Sequence, residues 1–467
     1  MRRVRHLLPL AAALSLAGLG CSNQVELAVA VVSPDGGDPF RAPDAATEVR
    51  ARVENGLGGP VVASVAPNGA FSLSLDLSAI NASARLLIEA LSGGVVVGSG
   101  ATPPVRWSQL PPGIVPVFVQ RRDSLVPAAP GVALGVQRIA PQVVPLRSPF
   151  VAVIGGADAE APIDVLDLFN LGRSDNENVL RAPYTGPLQA FSLDGVRVLI
   201  LKGCQTTLWN TATNTFEGTG ENVPPSERCE VSGSTLVEDP NGGGYLVGGT
   251  VTRTGEASAR VDRVLPTGRW VPGVPLTVPR ASPTAIFLRD GELLVAGGQA
   301  DAAAPSIERY AIGGSIPMER RALRTGDAEV DARSGATLVR AGGDVAYLFG
   351  GGRAGSPDLA AEDAVLDLGC LDQACPLLVR TAPLLQTRRR APLAALAEGD
   401  QVVVASGSAG GGVVESVERI DATNPRMPVA AGAVGTLGAA GLAMARVHNG
   451  SVLIAGGGQR TVWMFRH

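Results

Sequence analysis

Seven times between Val151 and Gly457 an apolar run closes on a pair of small residues, usually Gly-Gly. The runs are Val151 to Gly156, Val198 to Gly203, Tyr245 to Gly249, Leu293 to Gly298, Val345 to Gly351, Val402 to Gly407 and Val452 to Gly457. Successive pairs stand 46 to 56 residues apart. A unit recurring at about 50 residues cannot cover its own apolar faces and stacks on its copies, so the chain must form a row or a ring of like modules.

Most runs follow a turn dipeptide: Asp194-Gly195, Asn241-Gly242, Asp290-Gly291, Gly343-Asp344, Gly399-Asp400 or Asn449-Gly450. Such dipeptides suit the tight turns that join antiparallel strands, so each unit opens with a hairpin. The second arm, as in Leu293-Leu294-Val295-Ala296, is apolar throughout and must be covered on both faces. A third element recurs as Val261-Asp262-Arg263-Val264, Ile307-Glu308-Arg309-Tyr310 and Val417-Glu418-Arg419-Ile420, and as Val-Leu-Asp-Leu at 165–168 and 365–368. The repeated Glu-Arg pairs are read as braces between units.

The unit running from Pro279-Arg280-Ala281 through Gly297-Gly298 to Glu308-Arg309-Tyr310 resembles a divergent bacterial kelch repeat. The resemblance implies a β-propeller of seven blades. The last unit stops at its third strand, Thr461 to Phe465, and Gly131 to Ile139 is expected to supply the missing one and close the ring. Residues 25–122 alternate with period two, clearest in Phe71-Ser72-Leu73-Ser74-Leu75. The expected fold is therefore all-β: a β-sandwich-like domain at 25–122, a Pro- and Ala-rich linker at 123–130 and a seven-bladed kelch-like propeller at 131–467.

The chain starts with Arg2, Arg3 and Arg5, then an apolar run from Leu7 to Leu19, too short for a membrane-spanning helix. Leu16-Ala17-Gly18-Leu19-Gly20-Cys21 resembles a bacterial lipobox. The resemblance implies a signal peptide over 1–20, a lipidated N-terminus over 21–24 with Cys21 as acceptor, and, with Ser22 following, residence at the outer membrane. Acyl chains at about 0.8 kcal/mol per buried CH₂ would then hold the protein to the bilayer.

The formal charge is −4, and loss of residues 1–20 with their three arginines makes it −7, a balance that argues against nucleic acid as a partner. In an oxidising compartment Cys204, Cys229, Cys370 and Cys375 are expected to pair, proximity favouring Cys204 with Cys229 and Cys370 with Cys375. No metal site, cofactor or catalytic residue is assigned. Copper-oxidase chemistry on this fold needs two His and two Tyr, whereas His448 sits in a hairpin turn as an exposed loop residue, His467 stands at the end of the sequence, and four Tyr are scattered. No G-x-S-x-G, P-loop or H-E-x-x-H occurs.

What this leaves is a binding surface on the loops that follow the glycine pairs, at 157–162, 250–258, 299–305, 352–361 and 408–414. Arg253, Glu256, Asp301, Arg353, Asp358 and Arg460 are its polar candidates. The expected function is non-catalytic: an envelope lipoprotein presenting its propeller to a protein or glycan. The alternative is a glycan-active hydrolase or lyase using acidic residues on that loop face.

Overall fold

The computed structural model describes residues 26–467 apart from 35, 55–58, 67–70, 72, 77–79, 112, 158–162, 175–183, 185, 187, 218–223, 289–291, 299–306, 312–320, 324–332, 342–344, 354–355, 361, 369–377, 382–383, 399, 410–411, 423–428 and 434–440. Nearly all regular structure in it is strand. Among the described residues no helix is long and apolar enough to cross a membrane.

Seven four-stranded antiparallel sheets recur at the repeat spacing. They are numbered here as ring sheets 1 to 7 by their first strands: Gln142–Pro145, Gln189–Ser192, Thr235–Glu238, Thr284–Phe287, Thr337–Arg340, Leu393–Leu396 and Leu442–Arg446. Each first strand lies beside the next, and the seventh lies beside the first, so the sheets close a ring in the manner of a β-propeller. The apolar second strands explain the stacking. In Glu292–Ala296, Leu294 and Ala296 pack with Leu338, Ala346 and Leu348 of sheet 5, while Leu293 and Val295 pack with Val237, Tyr245 and Val247 of sheet 3. Successive side chains of one strand thus fill two different interfaces, which is why four consecutive positions, Leu293 to Ala296, are apolar.

The hairpin turns of sheets 1, 2 and 3 meet at one end of the ring, where the amides of Arg147 and Gly243 donate to the carbonyls of Gly195 and Leu193 at 2.6 and 2.7 Å. The glycine pairs lie at the other end, the Gly249 and Gly298 amides donating to the carbonyls of Arg280 and Arg333 at 2.8 and 2.6 Å. Gly297 has φ +65°, and a Cβ on it would lie 2.7 Å from the Arg333 carbonyl oxygen, so backbone conformation and close approach both demand glycine.

Ring closure differs from the sequence expectation. The outermost strand of sheet 7 is Ser124–Pro127, in register Ser124 with Arg466 and Pro127 with Trp463. It falls inside the segment read as a linker. A proline there is compatible with pairing because the outer strand of a sheet has one edge without a partner. Ala133–Arg138, expected to be the closing strand, instead pairs with Gln459–Thr461 in a separate two-stranded ladder.

The N-terminal strands form a seven-stranded sheet of two arms. Ile114–Arg121 joins its two arms, pairing early in its length with Glu26–Val32 and late with Val95–Ala101. Both arms feed one core that includes Val49, Ala51, Leu75, Ile88, Trp107 and Val117. This unit is docked on the ring. The Arg85 guanidinium donates to Glu54 at 2.5 Å and to Glu398 of sheet 6 at 2.8 Å, and Glu398 also accepts from Arg466 of sheet 7 at 3.3 Å.

Candidate binding face

At the glycine end, five second-to-third-strand connections share one construction. Arg138 donates from Nη1 to the Gly155 carbonyl at 2.6 Å and from Nη2 to Asp164 at 2.7 Å. Gly155 begins the connection in sheet 1 and Asp164 ends it, so the arginine ties its two feet together. Arg280 does the same in sheet 4, through Gly297 at 2.7 Å and Glu308 at 3.0 Å. In sheet 6 Arg389 reaches Ser406 at 3.1 Å and Glu418 at 2.5 Å. Sheet 5 uses the carbonyls of Gly350 and Glu362, at 3.2 and 2.6 Å from Arg333. Beside it Asp363 takes the amides of Gly350, Leu384 and Leu385; burial outweighs these and raises its carboxyl above the usual range. In sheet 3 Arg228 holds Gly248 at 3.1 Å and Asp262 at 2.5 Å.

All five arginines are buried, four of them completely. The planar guanidinium suits the task because it offers five donors in fixed directions and keeps its charge inside the fold. The repeated Glu308 and Glu418 therefore brace the feet of a connection within one sheet, and their neighbours Arg309 and Arg419 pair across the same sheets with Glu292 and Gln401.

Sheets 2 and 7 differ. The second-to-third connection of sheet 2 is only the turn at Gly203 and Cys204, and that of sheet 7 is held by the pairing of Gln459–Thr461 with Ala133–Arg138. Neither has an arginine at the matching place in the sequence, where Thr185 and Gly438 stand. The low rim at sheet 2 leaves a cleft of about 310 Å³ against sheet 3, bordered by Gln189, Lys202, Gly203, Cys229, Ser232 and Thr252, with Arg228 in its floor. Cys204 and Cys229 stand at disulfide distance, Cα to Cα 4.4 Å, as the sequence reading paired them.

The named loop candidates divide. Arg253 and Glu256 are exposed on the connection that runs over sheet 3, and Arg460 is exposed beyond the glycine pair of sheet 7. Arg353 and Asp358 fall on Gly352–Arg353 and Ser356–Ala360, which pair in a separate two-stranded ladder within the second-to-third connection of sheet 5. Asp301, Cys370, Cys375 and Cys21 lie outside the described residues. The described candidates are spread over separate connections and do not form one cluster.

His448 is half-buried, not an exposed loop residue, its Nε2 on the Leu146 carbonyl at 2.5 Å across the joint between sheets 7 and 1. Burial pushes its ring below the usual histidine value, the Leu146 carbonyl offsetting only part. At the hairpin end a wider cleft of about 640 Å³ is edged by Asp194 and Asp239. Both carboxylates are committed to their own turns: Asp194 accepts from the Val196 and Arg197 amides and the Arg197 guanidinium, and Asp239 from the Asn241 amide and Arg263. Burial raises Asp194, but these donors outweigh it and hold the carboxyl low, the opposite of what a general acid needs.

No family model matches this sequence, and no curated protein matches it. Among solved structures the chain is similar to one described as a streptogramin B lyase structure, at 12% identity and a TM-score of 0.46, covering 73% of this chain and 96% of that one.

Proposed function

We propose that this chain is a cell-envelope lipoprotein, held to the outer membrane through Cys21, whose seven-bladed kelch-like propeller offers the connections at its glycine end to a protein or glycan partner without catalysis. The observation that carries the reading is the arginine that ties the feet of five connections at that end. A connection with fixed feet can vary in sequence and length without disturbing the sheet beneath, which is what a recognition surface built on a rigid scaffold requires. The binding groups are then the polar residues beyond the ties, Arg253 and Glu256 on sheet 3 foremost, with the cleft beside sheet 2 as a recess between raised loops.

The test is photo-crosslinking on intact cells with the crosslinker placed at Arg253 or, on the opposite end of the ring, at Asp194. A partner captured from position 253 and not from 194 supports the proposal. Capture from 194 alone, or polysaccharide turnover abolished by Glu256→Gln, contradicts it. Mass analysis of the mature N-terminus tests the anchor: a diacylated Cys21 is expected, and an unmodified residue overturns that part.

A further inference from the structure

Four of the five tying arginines stand at one place in the sequence, four residues ahead of the first strand: Arg138 before Gln142, Arg280 before Thr284, Arg333 before Thr337 and Arg389 before Leu393. Each lies 17 residues ahead of the residue whose carbonyl it holds. In sheet 3 that place is taken by Val231, and the tie comes from Arg228, 20 residues ahead of Gly248, on the single helical turn Ser226–Cys229. The arginine has been moved out of register, and the next residue along is the cysteine that reaches across to Cys204 in the turn of sheet 2.

The segment anchored by that cysteine also walls the loop directly. The Thr252 amide donates to the Glu230 carbonyl at 2.6 Å, and Val231–Ser232 pairs with Thr250–Val251. Cys204 is exposed and Cys229 half-exposed, so a small reductant can reach the bond.

We propose that the Cys204–Cys229 disulfide is a redox-sensitive latch that keeps Arg228 in the tying position, so that reduction by an external dithiol releases the sheet 3 connection, 248–260, while the four other ties hold. In the exchange the dithiol loses its two S–H hydrogens as its own sulfurs join, and Cys204 and Cys229 receive them as thiols. Two electrons move and no other reactant is required. The inference concerns how the loop is mounted and stands whether or not that loop binds a partner.

The test is hydrogen exchange read by mass spectrometry on the full chain, oxidised and then treated with dithiothreitol, with the double variant Cys204→Ser/Cys229→Ser reporting on this bond alone. Amides in 248–260 should exchange at least about tenfold faster in both, as local opening without global unfolding does, with the connections at 155–163 and 406–415 unchanged. Arg228→Gln with the disulfide intact should accelerate the same amides. The proposal falls if 248–260 stays protected in the reduced chain, if all connections accelerate together, or if Arg228→Gln leaves the loop protected. Should the double variant fail to fold, the reduced natural sequence and Arg228→Gln decide the matter.

Discussion

At the residue scale buried arginines paired with acids hold the connections at the glycine end. Desolvating both charges is costly, and the pairs hold because each guanidinium is also bonded to the carbonyl that begins its connection. Removing one partner strands the other in the interior, so Arg280→Ala should cost about 3–5 kcal/mol. Replacing the surface arginine Arg388, paired with Glu362 where both side chains are more than a third exposed, should cost under about 1 kcal/mol. Denaturant unfolding of the two variants checks the contrast, and equal losses would contradict it. Gly297→Ala should cost about 1–3 kcal/mol in the same assay, from its positive φ and the Arg333 carbonyl close by. Part of this was legible in the sequence: the repeated Glu308 and Glu418 were expected as braces, but between units, whereas they tie the feet of one connection. Their partners were overlooked, although four of the five keep a spacing of 17 to the glycine pair that can be read off the chain. Arg228 could not be found that way, because the inserted helical turn shifts it out of that spacing.

At the scale of elements, the strands were legible wherever apolar runs met turn dipeptides, because pattern and turn chemistry are local. Closure was not. Ser124–Pro127 carries a proline and precedes an Ala-Ala-Pro run, so its composition is that of a connection, and only its partner Trp463–Arg466, far along the chain, makes it a strand. The same long-range dependence hid the strand Ile114–Arg121 as the joint between the two N-terminal arms, because it changes partners halfway. A protease should therefore fail to release an intact ring by cutting at 123–130, and a chain starting at residue 131 should lose the outer strand of sheet 7. Limited proteolysis followed by mass analysis checks this. A stable fragment starting near residue 131 would contradict the pairing.

At the scale of the whole molecule, the joint where the ring closes carries two groups whose protonation is coupled to folding. Burial works against the Asp123 charge, but the hydrogen bond and charge of His467, with the charges of Arg419 and Arg122, outweigh it and hold the carboxyl below its ordinary value of 3.8. Its folded value lies below its unfolded one, so its contribution is complete above about pH 4 and is lost as the pH falls through the folded value. His448 is shifted the same way from 6.5, so the unfolded chain takes up that proton first and stability begins to fall as the pH drops below that value. His448→Gln should remove this contribution, so that its denaturation midpoint falls less than that of the natural protein between pH 7 and 5; equal falls in the two would contradict the assignment. In sheet 7 a strand from ahead of the repeats, Ser124–Pro127, completes the last unit. Hydrogen exchange at the closing strand tests that most directly. The Asp123 and Ala128 amides, bonded to the carbonyls of Arg466 and Val462 at 2.8 Å each, should exchange only as slowly as the strand Trp463–Arg466 itself. Rapid exchange at 123 and 128 while 463–466 stays protected would show a linker there and a sheet 7 of three strands.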